Sequence, residues 1–413
     1  MDGLDRKRAE RLMADAAIDA LILLSPESFR HATGAAPGVA TMWRKAGAVA
    51  ALVPADPGLA QAAVVSDLFA PAFRKASHVA DIRESPIWVE TADLDGTGPD
   101  LPPEERVARA WQAAGRRKGF ERPETFNPVL CFNHLADLLR ERGLAGGRIG
   151  FEGSAISVSD FATFEAALGG IELVDASELI ARLKMVKTEQ EIANLRLAVG
   201  IAETGIQALR EAIAPGTTRD ALAGVWESTV RGYADSGALS GTWEYVSVGG
   251  NPWGGNATVR HGDLVKVDVG CLVNGYTSDT GRTFVLGAPS PAQERLFDAL
   301  LQGFTAGSAM LRPGVPLSEV HRVTLAAIRA AGFPGYTRGH FGHGLGASLG
   351  SEEWPFFSAE STEILEPGMV MAFECPWYVD GLGGMIIENQ VLITETGHET
   401  MNTLPHDLVR VPV

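Results

Sequence analysis

The chain has 413 residues, of which 46% are hydrophobic and 21% are charged. This balance is typical of folded globular proteins and excludes wholesale disorder, and the length favours two domains over one. Acidic side chains outnumber basic ones and give a net charge of −16, which argues against nucleic acid as a partner because a duplex is bound by clustered Lys and Arg.

The cysteine content and the apolar runs restrict the class of protein further. Three cysteines without CxxC spacing argue against a disulfide framework and against a thiolate zinc site. The N-terminal residues lack the apolar stretch of a secretory signal, and no apolar run is long enough to span a bilayer. We therefore expect a cytoplasmic protein that does not contact membranes.

The first part of the chain predicts a small α/β domain, because short apolar runs alternate with amphipathic stretches. In chain order the predicted elements are a helix over 4–18, strands over 20–24, 48–53 and 62–65, helices over 105–116 and 127–143, and strands over 149–152 and 171–174. The sequence changes in character near residue 180, so the predicted domains are residues 1–178 and 179–413.

The second part predicts long helices together with glycine-rich strands. The predicted helices cover residues 189–213, a segment capped by Thr217 or Thr218 that ends near residue 234, and residues 291–311 and 316–332. The predicted strands cover residues 264–269, 283–286, 369–374 and 385–394.

Four carboxylates and one histidine lie on or beside the apolar strands of this second part. In chain order they are Asp268, Asp279, His343, Glu374 and Glu388. Buried carboxylates are costly to ionise and raise each other's pKa, and two divalent cations would balance their charge. One imidazole with oxygen ligands favours Mn²⁺, Co²⁺ or Zn²⁺ over a cysteine-type zinc site. Such a pair of ions is suited to hydrolysis.

The order and spacing of these five residues resemble the pita-bread metallopeptidase family, M24, which includes aminopeptidase P, prolidase and creatinase. The Gly-His-Gly-Leu-Gly segment around His343 and the helix opening at 183–191 are also similar to that family. Residues 16–33 resemble the start of its creatinase/prolidase N-terminal domain. The resemblance implies an α+β fold, with a C-terminal pita-bread catalytic domain and a smaller α/β creatinase-like N-terminal domain.

The resemblance also implies roles for the five residues. All five would bind two divalent ions, with Mn²⁺ preferred, and Glu374 would in addition carry a proton during catalysis. The implied activity is cleavage of an amide bond, first of all that of an Xaa-Pro dipeptidase or aminopeptidase acting on a small peptide. The implied assembly is a homodimer.

Three positions depart from the family pattern and concern residues that touch the substrate. The stretch Gly249–Gly255 lacks the histidine that prolidase-like members carry upstream of the first ligand. Gly350 stands where a second histidine is expected, and Ile386 stands where an arginine is expected. We interpret this as a retained metal shell with rebuilt substrate contacts.

Five further side chains are candidates for those rebuilt contacts. His340 lies three residues before His343 and is a candidate catalytic residue. Trp253 and Trp377 lie beside the motifs and are candidates for the wall of the substrate site. In the N-terminal domain, Trp43 and Arg44 are candidates for contact with the site of a neighbouring subunit, where Arg44 would bind a substrate carboxylate.

Other functions remain open from the sequence. One is hydrolysis, or a lyase reaction, of a small non-peptide metabolite on the same fold. Another is a non-catalytic scaffold that keeps the ligands for structure. A third follows from Gly346–Gly350, which matches the G-x-S-x-G pattern and would make Ser348 the nucleophile of a serine hydrolase.

Overall fold

The computed structural model of the protein describes residues 4–233, 238–348 and 352–413. The chain divides into two compact units, residues 1–183 and 184–413. The predicted boundary between residues 178 and 179 falls inside the helix Ser177–Met185. Across the described ranges, no helix is both long and apolar enough to cross a membrane.

The first unit is built on a six-stranded mixed sheet in the order β4-β3-β2-β1-β5-β6. Its strands are β1 (Ala20–Leu23), β2 (Ala50–Pro54), β3 (Ala62–Ser66), β4 (Asp81–Ser85), β5 (Arg148–Phe151) and β6 (Glu172–Asp175). Its helices are α1 (Arg6–Asp15), α2 (Pro26–Thr33), α3 (Ala40–Trp43), α4 (Ala70–Ala76), α5 (Pro103–Ala113), α6 (Pro128–Glu141), α7 (Val158–Leu168) and α8 (Ser177–Met185), with a 3₁₀ turn at Gly153–Ala155.

The central strands of this sheet are buried on both faces, which explains their unbroken apolar sequence. Alternate residues of β1 enter two different cores, because successive side chains of a strand point to opposite faces. Leu21 and Leu23 pack in one core with α1 and α2. Ala20 and Ile22 pack in the other with α6 and α7.

The second unit contains four long helices and two sheets. Its strands are β7 (Leu239–Glu244), β8 (Ser247–Val248), β9 (Leu264–Val273), β10 (Tyr276–Thr277), β11 (Thr280–Leu286), β12 (His340–Gly344), β13 (Glu353–Ser358), β14 (Val370–Val379), β15 (Gly383–Ile393), β16 (His398–Thr400) and β17 (Val409–Val411). Its helices are α9 (Glu189–Glu211), α10 (Arg219–Arg231), α11 (Pro291–Ser308) and α12 (Leu317–Ala330). Thr218 caps α10, and the predicted end near residue 234 lies outside the described residues.

One sheet has the order β10-β9-β11-β17, with β7 and β8 also paired to β9, and the other has the order β13-β12-β14-β15-β16. Among the described strands of these two sheets, all pairs are antiparallel except the parallel pair β11–β17. On β9, Val265 and Val267 face the core formed with α9 and α10, so Lys266 and Asp268 face the other way. Strands β11 and β15 are joined through Thr283, whose hydroxyl accepts from the Ile386 amide at 2.8 Å and donates to the Ile386 carbonyl at 2.9 Å. The two sheets therefore meet face to face around the acidic residues.

Candidate metal centre

Four of the five predicted ligands lie on strands of the second unit, and Asp279 lies in the link between β10 and β11. Asp268 is on β9 and pairs in register with Gly281 of β11. Strand β11 begins directly after Asp279. His343 is on β12, and Glu374 and Glu388 stand opposite each other on β14 and β15. The fold thus brings together residues that are up to 120 positions apart in the chain.

Three of the five converge most closely and are called here the three-ligand cluster: Asp279, His343 and Glu388. One ligand-type atom from each lies within 4.8 Å of the others, and all three residues are buried. His343 Nε2 lies 3.4 Å from Asp279 Oδ2, while its Nδ1 is 3.0 Å from the Gly344 carbonyl. The backbone contact on Nδ1 orients the ring so that Nε2 faces the carboxylates.

The cluster fits a divalent cation by the chemistry of its donors. Asp279 Oδ1 and Glu388 Oε2 are buried and have no hydrogen-bond partner in the described parts of the chain. Burial raises the pKa of Asp279 well above its usual range, and the charges of Asp268 and Glu374 raise it further. Burial likewise raises the pKa of Glu388, reinforced by the charges of Asp279 and Asp268. A cation there would relieve both costs.

Asp268 is held differently, by a buried lysine. Lys266 Nζ donates to Asp268 Oδ2 at 2.9 Å, and its ammonium lies 5.3 Å from the centre of the Tyr378 ring. Burial is the largest single influence and acts to lower the pKa of Lys266. Asp268, Tyr378 and Glu388 together outweigh burial, and the net shift of the pKa is upward. Lys266 therefore stays protonated beside the predicted ligand.

Glu374 is held by an arginine and approached by the predicted catalytic histidine. Arg338 Nη2 donates to Glu374 Oε1 at 2.8 Å, and His340 Nδ1 lies 3.7 Å from the same oxygen. Burial lowers the pKa of His340, although the Glu374 carboxylate acts in the opposite direction. The imidazole ring of His340 is 6.2 Å from that of His343 between centres.

A close backbone approach and a set of hydrogen bonds position the ligands. A side chain at Gly270 of β9 would lie 2.0 Å from the Ser278 carbonyl oxygen, so glycine lets the link that carries Asp279 pack onto β9. Buried Arg282 donates to the Glu388 carbonyl at 2.5 Å and to Asn389 Oδ1 at 2.9 Å, which fixes the backbone of β15 beside the cluster. Burial lowers the pKa of Arg282 to about 10.

The carboxylates line a cavity of about 890 Å³ that also contains Lys266, Arg338 and Tyr378. Trp253, which is 75% exposed, lies at this cavity with its ring 4.6 Å from that of Tyr378. The prediction for Trp253 as a wall residue fits this placement.

Trp377 lies on the other face of β14 from Glu374, and its predicted contact with the substrate stays a prediction. Side chains alternate along β14, so Glu374 and Tyr378 share one face while Trp377 points to the other. There Trp377 packs edge-on against Phe333 and Tyr336 and lines an adjacent cavity.

Trp43 and Arg44 belong to the first unit, and their contacts there are local. Trp43 packs edge-on against Trp88 and Phe126. Arg44 Nη1 pairs with Glu27 Oε1 at 2.8 Å, with its side chain 47% exposed. The structure thus describes an edge-to-face aromatic group and an ion pair at these positions, and their predicted contact with a neighbouring subunit stays a prediction.

The positions that depart from the family pattern have different surroundings. Ile386 packs against Gly281 of the opposing sheet, so an apolar contact joins the sheets there. Gly350 lies outside the described residues. The helix that a serine elbow needs directly after Ser348 would begin at residues outside the described ranges.

Sequence reasoning missed several residues of the cavity, among them Lys266, Arg338 and Tyr378. Two of them carried a signal: Lys266 is two residues from Asp268, and Tyr378 is four residues from Glu374. Even spacing on a strand places each pair on one face. Arg338 carried none, because it precedes β12 and meets Glu374 from 36 positions away.

Comparison with known proteins agrees with this geometry. The sequence profile of metallopeptidase family M24 matches residues 193–395, and that of the creatinase/prolidase N-terminal domain matches residues 103–186. The chain is 31% identical over 306 residues to an uncharacterized peptidase, YqhT, of Bacillus subtilis, which covers 72% of this chain and 84% of the relative. The chain belongs to metallopeptidase family M24.

Other M24 relatives support the same conclusion. An Xaa-Pro dipeptidase of Pyrococcus furiosus is 29% identical over 267 residues, covering 63% of this chain and 75% of the relative. The solved structure of an Xaa-Pro dipeptidase from Bacillus anthracis superimposes with a TM-score of 0.76 at 22% identity, over 98% of each chain. The predicted α+β pita-bread fold with a creatinase-like N-terminal part is confirmed, and the chain is a metal-dependent hydrolase of family M24.

Proposed function

We propose that the chain cleaves the Xaa-Pro bond of a small peptide, with a divalent ion bound at the three-ligand cluster. This proposal rests on two buried oxygens, Asp279 Oδ1 and Glu388 Oε2. Neither has a partner among the described residues. Both belong to residues that converge with His343. The relatives named as Xaa-Pro dipeptidases support the choice of substrate.

The residues of the cavity divide the catalytic work between them. A divalent ion at the cluster supplies Lewis acidity, which polarises a carbonyl group and acidifies water. Glu374 takes the proton of the attacking water and delivers it to the leaving nitrogen. Arg338 holds Glu374 in one orientation through its 2.8 Å contact with Oε1. His340 lies near the same oxygen and is proposed to assist this transfer.

The substrate contacts follow from the aromatic side of the cavity. Trp253 and Tyr378 present adjoining rings, which suit the apolar ring of a prolyl residue. The remaining features stay proposals taken from the resemblance: Mn²⁺ as the metal, a homodimer to which Trp43 and Arg44 contribute, a cytoplasmic location and functional domains at 1–178 and 179–413.

A turnover assay tests the function. Protein loaded with Mn²⁺, Co²⁺ or Zn²⁺ is incubated with pooled Xaa-Pro dipeptides, longer Xaa-Pro peptides and small amides, and products are identified by mass spectrometry. We expect cleavage of Xaa-Pro bonds that chelator abolishes. Asp279→Asn should reduce the rate at least about a hundredfold, because the cluster loses a charged ligand.

The matched control is Glu319→Gln, which removes an exposed carboxylate paired with Arg322 on α12. This variant should keep the full rate. Turnover of small amides without any peptide cleavage would contradict the peptidase proposal and favour a non-peptide substrate. Full activity in Asp279→Asn would contradict the assignment of the cluster.

A further inference from the structure

The four acidic residues of the site fall into two groups by their partners. Asp279 and Glu388 each keep a buried oxygen with no partner in the described ranges. Asp268 and Glu374 each accept from a cationic side chain of this same chain, at 2.9 and 2.8 Å. Asp268 and Glu374 also stay outside the group of ligand atoms that converge within 4.8 Å.

The ammonium beside Asp268 is fixed in place by the strand that carries it. Lys266 is 4% exposed. Its neighbours Val265 and Val267 are anchored in the core on the opposite face of β9. Its side chain is further confined by the ring of Tyr378. Moving Lys266 away from Asp268 would thus require repacking of β9 or exposure of a buried charge.

The guanidinium beside Glu374 is likewise held in an ion pair. Arg338 keeps its charge at every pH at which a protein is folded. Its Nη2 occupies Glu374 Oε1, and both residues line the cavity. An oxygen that accepts from a fixed cation has less charge to offer a metal, and a divalent ion placed there would lie close to a like charge.

The charge balance of the site points the same way. Four ionised carboxylates carry four negative charges, and Lys266 and Arg338 neutralise two of them. One divalent ion at the three-ligand cluster neutralises the remaining two. A second divalent ion would leave this buried site with an excess of positive charge, which is costly in a low-dielectric interior.

We infer that the cations of Lys266 and Arg338 take the place of a second metal ion, so that the chain binds one divalent ion, at the three-ligand cluster. This inference rests on the proposed metal site and revises the number of ions that the resemblance implies. Asp268 and Glu374 then serve as carboxylates held by the protein's own cations, and Glu374 is free of any metal in its proton-transfer role.

Metal stoichiometry tests the inference without a substrate. Purified protein is stripped with chelator, reloaded with Mn²⁺, desalted and analysed for manganese per chain, and binding is followed by calorimetry. We expect one ion per chain for the native sequence. Lys266→Met, which keeps the length of the apolar stem but removes the charge, should free Asp268 and raise the content to two ions per chain.

The control is Lys187→Met, which removes a different buried lysine, paired with Glu353 at 3.3 Å outside the cavity. It should keep one ion per chain. Electron paramagnetic resonance of the native Mn²⁺ protein gives a second reading that needs no variant, because an isolated ion and an exchange-coupled pair differ in the number and spacing of their hyperfine lines. The native spectrum decides the matter if Lys266→Met fails to fold.

Each of the other experimental outcomes would contradict a particular part of the proposal. Two ions per chain in the native protein, or a coupled-pair spectrum, would overturn the inference and leave the proposed function intact. One ion in a folded Lys266→Met variant would overturn the role of Lys266. No bound ion in the native protein would overturn the proposed metal site itself.

Discussion

Asp279 and Glu388 are the residues in which the sequence and the structure agree most closely on chemistry. Both were predicted as ligands because they interrupt or follow apolar strands, and both prove to be almost fully buried, at 3% and 2% exposure. Their neighbours differ from the prediction. Lys266 and Arg338 supply charges that ligand spacing alone does not reveal, because that pattern describes donors and not their ion pairs.

The raised pKa values of these two carboxyls predict how the metal-free protein responds to pH. An acid whose pKa is higher in the folded state contributes its full stability below the pKa of the unfolded chain, about 4. As pH rises, the unfolded chain releases these protons first, so the free energy of unfolding falls until pH passes the folded pKa values.

Urea unfolding in the presence of chelator, measured from acid to neutral pH, checks this expectation. The stability of the metal-free protein should decrease over this range, and added divalent ion should restore more stability at neutral than at acid pH. The double variant Asp279→Asn, Glu388→Gln should show a flatter profile because it carries no ionisable group at either position. A native profile as flat as that of the variant would show that the pKa values of Asp279 and Glu388 are not raised in the folded protein.

Strand β12 shows where element-level prediction failed. The strands β9, β11, β14 and β15 were predicted because apolar residues recur along them, and the structure confirms them with bounds that differ by a few residues. The short strand around His343 was not predicted, because glycine-rich sequence has little intrinsic strand propensity. It forms because β13 and β14 pair with it on both sides. Tertiary pairing, which local sequence does not encode, decides this element.

Gly342 is the residue on which β12 depends most. Its φ is +120°, and a Cβ there would lie 2.0 Å from the Ala372 carbonyl oxygen on β14. Gly342→Ala should therefore push β12 away from β14 and displace His343. We expect a loss of about 2 kcal/mol or more in the free energy of unfolding, together with weaker Mn²⁺ binding, measured by urea unfolding and calorimetry.

Gly339→Ala is the control for this change. Gly339 precedes the same strand, and a Cβ added there meets no atom within 4 Å. It should alter the free energy of unfolding by less than about 0.5 kcal/mol. Equal stability and equal Mn²⁺ affinity of Gly342→Ala and the native protein would show that β12 does not depend on that close approach.

For the whole molecule, the α+β class and the metal-dependent activity were predictable from the sequence, because five ligand-type residues in the right order identify the family. The side-chain partners within the site were not predictable in the same way. Arg338 approaches Glu374 from a segment between α12 and β12, so its contact depends on the packing of a helix layer against a sheet.

The position of the bound metal shows directly whether the chain binds one divalent ion at the three-ligand cluster. Crystals grown with Mn²⁺ would be measured at the manganese absorption edge, and an anomalous difference map would locate the metal. We expect one strong peak, within bonding distance of Asp279, His343 and Glu388, and no peak between Asp268 and Glu374. A map with no peak at the three-ligand cluster, or with metal only elsewhere in the cavity, would contradict this expectation.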